Sequence, residues 1–121
     1  MTSELTAANV AVTNKLFLGS WGTVTQATSI TTGVTLNTKR GAITTFDPAL
    51  AAAAEAEFVV TNSECHSGDV VVLSVASGPS DNEHVVALIT AVAEGSFSIL
   101  LTNLAAANQA DGAMVINFAI I

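Results

Sequence analysis

Glu64-Cys65-His66, with Asp69 close behind, is the densest set of reactive side chains in the sequence. A metal would draw on Cys65, His66 and a carboxylate. Neighbours on a strand face opposite ways, so a turn would have to bring Cys65 and His66 together. Zinc sites use spaced Cys and His pairs, and Cys65 is the only cysteine. Cys65-His66 as thiolate and base lacks a third group to orient the base. The plain alternative is a loop tip carrying a free thiol. Glu83-His84 has the same weakness as a catalytic pair, and the sequence does not say whether His84 meets His66. Asp81-Asn82-Glu83 with Asp69 offers oxygen ligands for calcium, but the spacing matches no EF-hand loop, and a solvated loop accounts for it equally well. Lys39-Arg40 reads as a hairpin-tip pair or as a match for an acidic partner. No catalytic, cofactor-binding or metal-ligating residue is therefore assigned, and the expectation is a non-enzymatic protein.

Trp21 reads either as an anchor for the segment before it or as an ordinary core-edge residue, since buried aromatics dominate many interfaces. The residues just upstream, Leu16-Phe17-Leu18, form a short apolar knot in a Thr/Ala/Asn-rich stretch. Residues 1–21 are accordingly expected to be an N-terminal arm. Leu16, Phe17, Leu18 and Trp21 are its candidate partner-binding residues, with a frayed terminus as the alternative.

The elements that position these residues follow from composition and period. A chain of 121 residues makes one domain with a core. Half the residues are apolar, mostly Ala and Val, Tyr is absent, and only 11% are charged. Low charge on a small apolar domain points to surface that is covered by association. The formal charge is −7 with three basic residues, which argues against nucleic-acid binding and against docking on an anionic membrane. A lone cysteine leaves no internal disulfide. No basic leader and no continuous apolar run of about 18 residues is visible, so the expectation is a protein made in a cytoplasm.

From Thr23 onward the pattern is that of strands. Thr23–Ile30, Val34–Leu36 and Ala42–Phe46 alternate or are β-branched. Asp47-Pro48 with Ala49–Glu55 suggests a helical turn or two. Glu57–Asn62 places Phe58 and Val60 on one face. Asp69–Ala76 holds the most apolar run, Val70–Leu73, and reads as a strand covered on both faces. His84–Val92 and Ser96–Leu101 flank Glu94-Gly95 as a β-hairpin. Asn103–Asp111 is a loop, and Ala113–Ile121 is a last strand, expected to be central or sealed by another subunit. About eight short strands in roughly 100 residues predict a two-sheet β-sandwich, jelly-roll-like, over residues 22–121.

Several segments resemble a β-sandwich module of tailed-bacteriophage virion proteins, among them capsid decoration (cement) proteins and head or tail fibre proteins. They are Gly22–Ser29, Thr32–Asn37, Gly41–Thr45, Phe58–Ser63 and Val115–Ile120. The resemblance covers residues 22–121 and rests on Thr, Gly and Val in strands and turns. It implies a virion structural role on the capsid surface, with the major capsid protein as partner and a homotrimer as the assembly. Its alternative implication is a head or tail fibre module that binds a host receptor. It transfers no site residue.

Overall fold

Alternation of large apolar and small polar residues decides where each strand buries itself. The computed structural model describes residues 19–47, 49–78 and 84–121. Eight strands follow in order: β1 (Trp21–Thr25), β2 (Val34–Thr35), β3 (Arg40–Thr44), β4 (Glu55–Thr61), β5 (Val71–Ser77), β6 (Val85–Ala93), β7 (Ser96–Asn103) and β8 (Val115–Ile120). They form two four-stranded sheets, β1-β3-β8-β5 and β2-β4-β7-β6. We refer to these as the first and second sheets. In β7 the residues Phe97, Ile99, Leu101 and Asn103 are buried while those between them are half-exposed. In β4 Ala56, Phe58 and Val60 are buried and the residues between them are exposed. The sandwich expected from the sequence is present.

The inward rows of the two sheets meet in one core. Phe58, Phe97, Ile99 and Leu101 of the second sheet pack toward Ile43, Ile116 and Phe118 of the first. The Phe97 and Phe118 rings lie 5.3 Å apart at 57°, a tilted contact that ties the layers together. At Gly22 and Gly41, paired across β1 and β3, a side chain would strike Leu36. The two glycines leave the slot that Leu36 fills.

The chain crosses between sheets at nearly every connection. The β6–β7 hairpin joins neighbours in one sheet. Its Glu94-Gly95 turn is as the sequence predicts, with Gly95 at φ +82°. Two pairings are parallel, β1 with β3 and β2 with β4. An antiparallel jelly roll has no such pairs, so that finer description does not carry over. The last strand is central, between β3 and β5, as expected.

Four local expectations change. Ala49–Glu55 is not helical. Leu50 instead bridges to Ala110, Ala49 and Ala53 take positive φ, and β4 begins at Glu55. So short a helix has too few internal hydrogen bonds to compete with strand pairing. β5 is an edge strand rather than one covered on both faces, and Val72 on its outer side is 48% exposed. β1 stops at Thr25, because Gln26 turns inward and gathers the following loop. Trp21, expected in the arm, is the first residue of β1. Leu16, Phe17 and Leu18 lie outside the described residues.

Candidate functional site

The reactive side chains do not converge. Cys65 is fully buried in the core cluster, where its Sγ contacts the Ser96 carbonyl at 3.5 Å, so it is no loop-tip thiol. Burial pushes its pKa up, and the nearby Asp69 and Glu94 carboxylates add to this. A raised pKa keeps the group a thiol, the opposite of what a nucleophile needs. His66 is exposed and turned away. Its Nδ1 is 2.6 Å from Glu94 Oε2, and its backbone N–H donates to Asp69 Oδ2 at 2.9 Å. The His66 hydrogen bond is the main reason the Glu94 carboxyl sits below its ordinary pKa. His84 precedes β6 and Glu94 follows it, so the nine-residue strand separates the two histidines, a span of about 30 Å. Asp81, Asn82 and Glu83 lie outside the described residues. Among the described residues no three His, Cys, Asp or Glu side chains group as a metal site.

What the structure does bring together is a set of buried side-chain amides. Asn103 donates to Leu50 O (3.0 Å), Ala51 O (3.3 Å) and Asn108 O (2.9 Å), and accepts from the Ala105 N–H (3.0 Å). Asn62 donates to Thr38 O at 2.7 Å and accepts from the Glu64 N–H at 2.9 Å. Gln26 donates to Ile30 O and Thr32 O and accepts from the Phe46 N–H. Each amide sits where a loop leaves a strand and supplies the backbone partners the ladder no longer provides. The sequence does not single them out as functional residues. Their signal was parity, since Asn62 continues the inward row Ala56, Phe58, Val60, and Asn103 continues Phe97, Ile99, Leu101.

The outward face of the first sheet is the best-defined surface. Strand register stacks its rows. Trp21, Arg40, Ala119 and Val72 form one, and Thr23, Ala42, Asn117 and Ser74 the next. Thr25, Thr44, Val115 and Ser77 complete it. No carboxylate stands in these rows, although the chain carries −7. The described acidic residues lie elsewhere. Glu55 and Glu57 are on the outward face of β4, Glu64, Asp69 and Glu94 cluster near the hairpin turn, and Asp47 and Asp111 lie together at one end of the β3–β8 pair, where the Gly112 N–H donates to Asp47. Trp21 is 55% exposed and walls a depression of about 390 Å³ that also touches Arg40, Ser74 and Asn117. Lys39 packs against Gly19 at the rim, beside Ile120 and Ile121.

The arrangement offers a nearly uncharged platform with one indole and one guanidinium. It suits contact with another protein surface, where an aromatic and an Arg make good anchors. No family model matches the chain, and neither the curated proteins nor the solved structures compared with it give a match.

Proposed function

We propose that this is a phage virion structural protein that decorates the icosahedral capsid and cements it, without enzymatic activity. The observation that carries the reading is the carboxylate-free outward face of the first sheet, with Trp21 half-exposed at its corner, on an otherwise acidic chain. The resemblance of residues 22–121 to virion β-sandwich modules supplies the setting. In this reading the platform lies on the major capsid protein across a junction between capsomers, with Trp21 as an anchor. Binding free energy available only on the assembled shell adds to the work needed to separate its parts. The site of action is the virion surface, and nucleic acid and membrane are not partners.

A second reading is a head or tail fibre module. The depression beside Trp21 favours it, because an indole face with Asn117, Ser74 and Arg40 around it presents both stacking and hydrogen-bonding groups to a host ligand. Capsids lacking the protein, mixed with purified chain and imaged by electron microscopy, separate the two. Density over the shell, lost in an Ala42→Asp variant, is the expected result. No binding to shells, or density confined to a fibre end, overturns the cement reading.

A further inference from the structure

We propose that the open edge of β6 pairs with β6 of a second copy about a two-fold axis at Ala87, joining two second sheets into one. The pairing strands belong to the second sheet and not to the outward face used in the capsid reading, so the inference stands apart from that reading.

The hydrogen-bond register shows which backbone groups are available. The Leu104 N–H donates to His84 O at 2.9 Å, and from there β6 runs antiparallel to β7 with Val85 opposite Asn103 and Ile89 opposite Ile99. Bonded pairs alternate along such a ladder. Val86 and Leu88 therefore bond toward β7, while Val85, Ala87 and Ile89 turn their N–H and C=O groups away from it. Among the described residues no strand pairs with that side. With the axis at Ala87, Val85 meets Ile89 of the second copy and Ala87 meets its own counterpart. Every outward group of the three residues then finds its complement.

Edge strands of monomers are commonly guarded by charge, Pro or brevity. The chain does this elsewhere. β2, the other edge of the same sheet, is two residues long. β6 is nine residues long, Val-Val-Ala-Leu-Ile-Thr-Ala-Val-Ala, without a charge or a Pro. Its single irregularity, between Ile89 and Ala91, leaves Val85–Ile89 in unbroken register. Side chains fit the same pairing. Leu88 on the outward face is 51% exposed and would lie opposite Val86 of the second copy.

Area and charge permit a small dimer contact. With the axis at Ala87 the overlapped stretch is Val85–Ile89, about 17 Å long, on a side about 20 Å deep with two sheets and their outward side chains. Two such sides bury on the order of 700 Å², the size of a weak, transient contact. Glu55 sits on β4, two strands in from the edge, while the Glu57 carboxylate reaches across to accept a hydrogen bond from Thr90 of β6. Across the joined sheet the two β4 strands are about 24 Å apart and the two Thr90 positions, three residues either side of the axis, about 20 Å apart, both beyond a screening length of about 8 Å at physiological salt. Long-range repulsion between two bodies of net −7 remains and is weakened by salt.

Sedimentation equilibrium of the full chain at about 20 μM, several-fold above a micromolar Kd, is the test. A dimer is expected. Ala87→Pro removes an N–H that points away from β7, so it leaves the β6–β7 ladder intact while blocking the second copy. Leu88→Lys places a cation on the exposed face without touching the core. Both variants are expected to weaken association by about tenfold or more, with unchanged far-UV circular dichroism. Val59→Lys on β4 is expected to leave the dimer intact. Amide exchange at Val85, Ala87 and Ile89 should be slow in the dimer and fast in Leu88→Lys, which keeps the test decisive even where Ala87→Pro does not fold. A monomeric wild type, the trimer implied by the virion resemblance, or a dimer untouched by Leu88→Lys overturns the proposal.

Discussion

Asn103 illustrates how a single polar residue holds distant loops in an apolar sandwich. Its amide serves four backbone groups from two segments, and it is fully buried. Replacing it by Leu keeps the volume but orphans those groups, each costing about 1–3 kcal/mol when left without water or partner. Partial relaxation of the loops sets the expected loss for Asn103→Leu at about 3 kcal/mol, read from chemical denaturation. His66 and Glu94 make the opposite case, an exposed pair whose effect shows in its pH dependence. The Glu94 carboxyl is held below its ordinary pKa, chiefly by the hydrogen bond to His66. A depressed folded pKa contributes stability above the usual carboxylate range and loses it as pH falls through the folded value. Thermal melts of wild type and Glu94→Gln should therefore differ at neutral pH and converge on acidification. A difference that grows toward acid contradicts the assignment.

At the level of elements, two glycines test how the strands meet. Gly95 takes φ +82° in the hairpin turn, while its N–H donates to Cys65 O and its carbonyl accepts from Asn62. Gly95→Ala should cost about 1–2 kcal/mol, the usual penalty for a left-handed non-glycine residue. Gly41 is limited by space rather than by φ. A Cβ there would stand 2.7 Å from Leu36 and 2.8 Å from the Gly22 carbonyl. Because a backbone atom cannot rotate aside, Gly41→Ala is expected to be the worse of the two, with an overpacking cost of about 1–3 kcal/mol plus distortion of the β1–β3 pair. Denaturant titration of both variants checks the order.

For the whole molecule, the distribution of charge governs behaviour with salt. Contacts made through the first sheet's outward face or through the β6 edge bring together surfaces nearly free of charge, on bodies of net −7. Screening weakens the long-range repulsion between like-charged copies and leaves apolar contact intact. Self-association should strengthen between low salt and about 0.3 M salt, where the Debye length falls below about 8 Å. Sedimentation at the two ionic strengths measures this, and weakening with salt would point to ion pairs at the interface.

The sequence alone determined the class of structure and the inward rows. Strand side chains alternate with period two, so Phe58 and Val60, or Phe97, Ile99 and Leu101, declare their shared face without any knowledge of partners. The Glu94-Gly95 turn was equally legible, because a positive φ in a tight turn selects Gly. Pairing between distant strands was not. Whether Val70–Leu73 lies at a centre or an edge depends on what packs beside it, and the same apolar run serves either place. The parallel β1–β3 and β2–β4 pairs, the burial of Cys65 away from His66, and the collection of Trp21, Arg40 and Asn117 on one face all arise from contacts between residues far apart in the chain. Only closure of the two layers selects those contacts, because local period says which way a side chain points and not which neighbour it will meet.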